Sequence, residues 1–292
     1  MYKQIAENKR KTIYLIIGFV LLIGVIAGLF AWAYNDVWLA VWVVVIAIVY
    51  AVIQYYAASS LSMVMTGAKE ITKKDNPRFY NIVENLSITT GLPMPKVYII
   101  DDKAPNAFAT GREPKHASVA ATKRLFDIMN DKELTAVMAH EMSHVKNYDI
   151  RVSMMVFGLV CVVGLISDLA FRMMFYGDRR RNNEGSPVGY VLIVIAGILA
   201  PVFASLAQMA VSRQREYLAD ASAVNITRYP EGMIAALKKL QAQSAPMKSQ
   251  NIATEAMYIN NPLRKGFFSN LFSSHPPLEK RIERLEHGKT NF

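Results

Sequence analysis

Two long apolar runs occupy the N-terminal part of the chain. No charged residue occurs from Ile13 to Tyr34, and after Asn35-Asp36 a second uncharged run extends from Val37 to Ala58. Because a helix of about 20 apolar residues crosses a bilayer core, each run is long enough to span. The first run could be the core of a secretory signal peptide, but it is too long for that and another span follows at once. The pattern therefore predicts a transmembrane hairpin with a very short turn.

Two further apolar blocks extend from Val152 to Phe175 and from Val188 to Ala210. The first contains Asp168 and Arg172, which are one helical turn apart and could pair with each other. The linker between the blocks contains Arg179-Arg180-Arg181, which an outside loop would not favour. We expect both blocks to span the membrane, with a re-entrant or interfacial hairpin as the alternative. In either case the two ends of the pair return to the same side.

The charge pattern indicates which side of the membrane holds each part. The formal net charge is +10, and the basic residues cluster beside the apolar runs. They are Lys3, Lys9, Arg10 and Lys11 before the first hairpin, and Lys69, Lys73, Lys74 and Arg78 after it. By the positive-inside rule both ends of this hairpin lie in the cytoplasm. No nucleic-acid-binding motif accompanies the charge, and the single cysteine, Cys161, excludes an internal disulfide.

The polar segments predict a small domain that is mostly helical. Asn76-Pro77 is an N-cap and first-turn signal, and Gly91 supplies the stop. Short strand patterns then follow, at Val97–Ile100, Ala107–Thr110 and Ser118–Ala121. The fold class predicted is mainly α with a small β-sheet.

Three more helices are predicted in the polar segments. Asn130 and Glu133 form a capping box before a helix from Asp131 to about Tyr148. Pro230 begins another helix that ends near Gln243. Pro277 begins the last one, which ends at Gly288.

A metal-binding pattern lies inside the capped helix. His140-Glu141-Met142-Ser143-His144 has the form HExxH. Residues four apart share one face of a helix, so both imidazoles can reach one metal ion. Glu141 is offset by about 100° around the axis, beside the ion, where a carboxylate can take a proton from metal-activated water and deliver it to the leaving amine. This pattern predicts zinc-dependent hydrolysis.

A catalytic zinc site also needs a third protein ligand and one open position. Glu216 could supply that ligand, and Asp220, four residues later, could accept the distal N–H of a ligand imidazole. An exposed, charged helix end is the alternative interpretation. The hairpin topology favours the zinc site, because it returns the chain after the fourth apolar block to the point just beyond His144.

Several motifs in this order resemble the HtpX family of membrane-bound heat-shock metallopeptidases, relatives of the CAAX prenyl protease. The resemblance covers nearly the whole chain. Besides the apolar pairs, its motifs are Asn106-Ala107-Phe108-Ala109-Thr110-Gly111, HExxH followed by Asp149, Glu216-x-x-x-Asp220 and Ser274-His275-Pro276-Pro277. It implies a gluzincin-like domain with four transmembrane helices and one Zn²⁺ per chain on His140, His144 and Glu216.

The resemblance also implies roles that the residues alone do not indicate. Asn106, Ala107, Phe108, Ala109 and Thr110 resemble an edge strand that aligns a substrate peptide by backbone hydrogen bonds. His275 resembles a histidine that stabilises the oxyanion. Arg281 resembles a residue that orients the site. The implied activity is endopeptidase cleavage of misfolded or damaged membrane proteins, with self-cleavage, at the cytoplasmic face of a bacterial plasma membrane.

The predicted organisation has four parts. Residues 1–59 form the N-terminal hairpin, 60–151 the first part of the catalytic domain, 152–210 the second hairpin and 211–292 the second part of the catalytic domain. Two rival functions remain. A non-catalytic membrane scaffold or transporter component would keep a structural zinc whose fourth position is closed by His275. A CAAX-type processing protease would need prenylated substrates, which the small number of visible spans disfavours.

Overall fold

The computed structural model describes residues 2–159, 161, 213–243, 245–247, 258–259 and 276–288. Most of the predicted second hairpin, including Asp168 and Arg172, lies outside the described residues. So does His275. The first eight residues of the hairpin's first apolar block, 152–159, are part of a helix.

The first hairpin consists of two long helices, α1 (Tyr2–Tyr34) and α2 (Val37–Met65). Asn35 makes the turn with a positive φ of 51°, a conformation that Asn tolerates better than most residues. Asp36 caps α2, since its carboxylate accepts a hydrogen bond from the Trp38 amide at 2.8 Å. The predicted short turn is therefore confirmed.

These helices are not the core helices of a soluble domain. Their long apolar stretches, Ala6–Leu29 and Ala40–Met65, have the length and composition needed to cross a membrane. Only a third of the most apolar window of α1 is buried in the protein, and none of that of α2. Large apolar side chains such as Leu21 and Ile46 are about two-thirds exposed. Such a surface suits a lipid environment rather than water.

A four-stranded mixed sheet follows the hairpin. Its strands are β1 (Ala68–Glu70), β2 (Lys96–Ile100), β3 (Ala107–Gly111) and β4 (Ala117–Thr122), in the spatial order β1-β2-β4-β3. β2 and β4 are parallel, and the other two pairs are antiparallel. Three strands were predicted. β1 was missed because three residues are too few to show an alternation of apolar and polar positions. Its formation depends on pairing with β2, which lies elsewhere in the sequence.

The other described helices are α3 (Pro77–Thr90), α4 (Lys123–Ile128), α5 (Asp131–Lys146), α6 (149–159), α7 (Arg213–Thr227), α8 (Pro230–Ala242) and α9 (Leu278–Gly288). Of these, α3, α5, α8 and α9 begin and end close to the predicted residues, whereas α4 was not predicted. Gly91 ends α3 with a φ of 69°, and the capping box at Asn130 and Glu133 is present. These predictions are confirmed.

Helix α5 occupies the centre of this domain. It packs against α3, α7, α8 and strand β3, and eleven of its residues are buried. The apolar core around it includes Val119 of β4, Val137 of α5 and Leu237 of α8, each fully buried. Because α5 is enclosed on several sides, polar side chains on it must find partners inside the protein. The functional site lies among them.

Candidate active site

The HExxH segment lies in the C-terminal half of α5. His140 and Glu141 are buried, with 1% and 2% of their surface exposed. One turn later, His144 directs its Nε2 atom to within 3.1 Å of Nε2 of His140. The i, i+4 spacing thus brings both imidazoles to one point, as the sequence predicts.

Helix α7 brings a carboxylate to the same point. The Oε2 atom of Glu216 lies 3.5 Å from Nε2 of His140, and its Oε1 atom lies 3.5 Å from Nε2 of His144. Among the described residues, these three side chains form a group whose ligand atoms all lie within 4.8 Å of one another. Residues 147–212 separate α5 from α7 in sequence, yet the two helices pack side by side.

The outer nitrogens of both imidazoles face carboxylates. Nδ1 of His140 lies 2.9 Å from Oδ1 of Asp220, and Nδ1 of His144 lies 2.9 Å from Oδ2 of Asp149. A carboxylate can only accept, so each Nδ1 donates the hydrogen bond and carries the proton. In a neutral ring Nε2 is then a bare lone pair. Two lone pairs that face each other at 3.1 Å, beside a carboxylate, repel unless a proton or a metal ion lies between them, so the arrangement suits a metal ion.

The spacing and chemistry of this group fit a zinc ion. Two imidazole nitrogens and one carboxylate oxygen are a common protein ligand set of catalytic zinc. Tetrahedral coordination with bonds of about 2.0–2.2 Å places the donor atoms about 3.3–3.5 Å apart. The three separations here are 3.1, 3.5 and 3.5 Å. Three protein donors also leave one coordination position for water or substrate.

The pKa values of the site in the metal-free protein also indicate that it favours a positive charge. Burial lowers the pKa of His140, but its bonds to Asp220 and Glu216 more than offset this and raise that pKa to about 9. Burial likewise raises the pKa of Asp220, whereas the charge of Arg281 and the bond to His140 together hold that pKa below its usual value. The site therefore favours an ionised carboxylate and a positive charge on or near His140.

Arg281 of α9 clamps the Asp220 carboxylate. Its Nε and Nη2 atoms donate to the two carboxylate oxygens at 2.9 and 2.6 Å. Its Nη1 atom lies 3.5 Å from Oε2 of Glu216. This guanidinium is fully buried, and a planar fork of this kind fixes the carboxylate in both position and orientation. Arg281 thus contacts both the carboxylate that orients His140 and the third ligand.

Asp149 orients the other imidazole and lay outside the predicted site. In the sequence it is one of the residues that carry the family resemblance, but no role at the site was predicted for it. Tyr148, with a φ of 61°, turns the chain so that Asp149 at the start of α6 faces back onto His144. Burial raises the pKa of Asp149, but its contacts with His144, Arg215 and Asn8 lower that pKa overall. The only available sequence signal was an acidic residue five positions after the second histidine.

Glu141, which lies between the two histidines in sequence, is also buried. It is 2% exposed. Burial lowers the pKa of the Arg281 guanidinium, but the charges of Asp220, Glu216 and Glu141 together raise that pKa above its usual value. Glu141 therefore lies near the guanidinium that contacts Asp220 and Glu216, on a helix that is packed on several sides.

The predicted substrate-aligning strand lies at one end of the sheet. β3 pairs with β4 on one side, and on its other side Tyr258 forms a bridge with Phe108. The amide of Ile259 donates to the Ala107 carbonyl at 3.0 Å. Asn106, Ala107, Phe108, Ala109 and Thr110 are all buried. The predicted oxyanion residue His275 lies outside the described residues.

A family model and individual relatives both place the chain in the same family. The model described as Peptidase family M48 matches residues 73–289. A "Protease HtpX homolog" of Tropheryma whipplei (strain Twist) is 50% identical over 292 residues, covering 100% of both chains. One from Ligilactobacillus salivarius (strain UCC118) is 44% identical over 296 residues, covering 98% of this chain and 99% of that one.

A solved structure shares the architecture. The crystal structure of S. mikatae Ste24p aligns with a TM-score of 0.53 and 20% identity, over 98% of this chain and 67% of that one. That identity supports likeness of fold alone. The family model, by contrast, spans HExxH, the carboxylate of α7 and the arginine of α9. The chain therefore belongs to peptidase family M48, as a membrane-associated metallopeptidase.

Proposed function

We propose that this chain is a zinc endopeptidase that cleaves unfolded or damaged membrane proteins at the cytoplasmic surface of a bacterial plasma membrane. One observation carries the proposal. Three acceptor atoms, from His140, His144 and Glu216, converge at tetrahedral spacing. Both imidazoles are held in the tautomer that a metal ligand needs.

In the proposed mechanism His140, His144 and Glu216 hold the zinc. When bound, zinc supplies a Lewis acid that polarises the scissile carbonyl and makes a water molecule acidic enough to react near neutral pH. Glu141 accepts the proton of the attacking water as its oxygen bonds to the carbonyl carbon. It then gives that proton to the amide nitrogen as the carbon–nitrogen bond breaks. Asp220 and Asp149 orient the imidazoles, and Arg281 holds Asp220.

Substrate would be aligned by the outer edge of β3 (residues 106–110). Backbone hydrogen bonding along a strand edge selects extended, unfolded segments and makes little demand on their side chains. The hydrogen bond from the Ile259 amide to the Ala107 carbonyl supports this use, because it is of the kind that a substrate strand would make. His275 would stabilise the oxyanion from the segment that precedes α9.

The membrane arrangement we propose has both ends of the first hairpin in the cytoplasm and four spans in total. Two observations support it. Asn8, near the start of α1, contacts the turn after α5, and α2 leads directly into β1. Both ends of the hairpin therefore adjoin the domain that carries the site. Unfolded segments of membrane proteins, and copies of the chain itself, would meet the active site at this surface.

Glu141→Gln tests the proposal. We expect full-length protein carrying this change to keep one tightly bound zinc and to cleave an unfolded membrane-protein substrate about 10²–10⁴-fold more slowly, since a general base contributes about that factor. Asp131→Asn, an exposed change at the other end of the same helix, is the control and should cleave at the parental rate.

Three results would contradict the proposal. Equal cleavage rates for Glu141→Gln and the parent would remove Glu141 from the mechanism. Bound zinc with no turnover in the parent would instead favour a structural metal closed by His275. Cleavage that required a prenyl group on the substrate would favour a processing protease.

A further inference from the structure

The N-terminal membrane helix contacts the metal site through one side chain. Asn8, which is 3% exposed, donates from Nδ2 to Oδ1 of Asp149 at 2.7 Å and to the carbonyl of Asn147 at 2.9 Å. These residues are separated by about 140 positions in sequence. Both amide protons of Asn8 are used on the short turn between α5 and α6.

The contact continues directly to a proposed zinc ligand. The other oxygen of Asp149, Oδ2, accepts the hydrogen bond from Nδ1 of His144. A carboxylate that is held at both oxygens cannot rotate, so it presents Oδ2 to the imidazole in one orientation. Arg215 adds a weaker contact, with its Nη1 atom 3.7 Å from Oδ1. Among the described neighbours of Oδ1, Asn8 is the one at hydrogen-bond distance.

We infer that Asn8 is a positioning residue of the active site, which fixes Asp149 and through it the ring of His144. The inference rests on the proposed zinc function. It makes α1 part of the metal site and more than a membrane anchor. Neighbours of this kind, which hydrogen-bond to the ligands, typically change metal affinity about 10–100-fold when removed.

The amide side chain is specifically required for this role. Two donors are needed, one for a carboxylate and one for a carbonyl, and Asn supplies both from one nitrogen. Asn8→Asp keeps the size and shape but turns a donor into an acceptor, and it places a second negative charge against Asp149. Asn8→Ala removes the contact without adding charge.

The test is the zinc dissociation constant of full-length protein in detergent, measured by competition with a chelator. We expect Asn8→Asp to weaken zinc binding about tenfold or more, and Asn8→Ala to weaken it by a smaller factor. Thr12→Val is the matched control. Thr12 lies one turn further along α1, and its hydroxyl bonds only to the Asn8 carbonyl among the described contacts, so this change should leave the constant within about twofold.

A double-mutant cycle separates positioning from mere anchoring of the helix. If Asn8 acts through Asp149, Asn8→Ala should have almost no further effect on zinc affinity in protein that already carries Asp149→Ala. The visible absorption spectrum of cobalt-substituted protein, which reports the geometry of the ligands, should change in Asn8→Ala and in Asp149→Ala but not in Thr12→Val.

The outcomes also distinguish this inference from the proposed function. A parent protein that binds no zinc would defeat the proposed function itself. A parent that binds one zinc, with Asn8→Asp and Asn8→Ala binding it equally tightly, would overturn the positioning role alone. The same conclusion would follow if Asn8→Ala weakened binding by the same factor with and without Asp149.

Discussion

At this site a carboxylate orients each imidazole, and other side chains fix the position of that carboxylate. Asp220 fixes His140, and Arg281 fixes Asp220 by a two-pronged contact at 2.6 and 2.9 Å. All three are buried. In such a chain each link constrains the next, so ligand geometry is set before any metal binds.

Replacing Arg281 should therefore affect stability and metal binding together. Arg281→Met leaves the Asp220 carboxylate buried without its partner, which should lower the free energy of unfolding of the metal-free protein by about 3–5 kcal/mol. Urea titration in detergent measures this. Zinc affinity should fall as well, because Asp220 is no longer fixed against His140.

Arg284, three residues later on the same helix, provides the control for that experiment. Its guanidinium is exposed and lies over the Tyr217 ring, 4.6 Å from the centroid. Arg284→Met should cost less than about 1 kcal/mol and leave zinc affinity unchanged. If the two variants behaved alike, the clamp on Asp220 would have no special role.

Among individual residues, the sequence predicts the site best where the residues concerned lie close together in the chain. The two histidines and Glu141 follow from a spacing of four on one helix. Glu216 could be predicted only because the apolar blocks implied that the chain returns. Asp149 was missed since its role depends on the turn at Tyr148, and Asn8 because a contact spanning about 140 residues leaves no sequence pattern.

Single elements of the fold are set by short signals at their ends. The capping box of α5 is one: the Asn130 side chain accepts from the Glu133 amide at 3.0 Å, and Glu133 accepts from the Asn130 amide at 2.8 Å. Such reciprocal bonds satisfy helix N–H groups that otherwise lack partners. This local origin explains why α5 and α3 could be placed from sequence, whereas the three-residue β1 could not.

Removing this cap should weaken the helix without disturbing the site. Asn130→Ala should lower the free energy of unfolding by about 1 kcal/mol, measured by urea titration of metal-free protein. Zinc affinity should not change, because His140 lies ten residues further along α5.

Thr135→Ala, a change at a partly exposed position of the same helix, is the control and should be neutral or slightly stabilising. A loss of zinc affinity in Asn130→Ala comparable to its loss of stability would mean that the end of the helix and the site are not independent.

At the scale of the whole molecule, a hairpin of two apolar helices meets a helical domain with a small sheet beside the proposed site. The apolar faces of α1 and α2 are exposed, and the two outer ends of the hairpin meet the domain that carries HExxH. The second predicted hairpin would continue from α6 and return to α7, which joins the two parts of the ligand set.

The proposed topology predicts which positions are reachable from outside the cell. In a Cys161→Ser background, which has no other cysteine, Asn35→Cys at the hairpin turn should react with a membrane-impermeant thiol reagent in intact bacteria. Lys74→Cys, in the exposed loop after β1, should react only after the membrane is permeabilised. The reverse pattern would place the catalytic domain outside.

The central claim is that two distant parts of the chain hold one zinc ion through three side chains. Metal analysis of purified full-length protein, together with the zinc dissociation constant, tests it most directly. We predict one zinc per parent chain, and loss of about 10²-fold or more in affinity for Glu216→Ala, whereas the exposed Glu283→Ala should match the parent. Stoichiometric, equally tight zinc in Glu216→Ala would contradict the account.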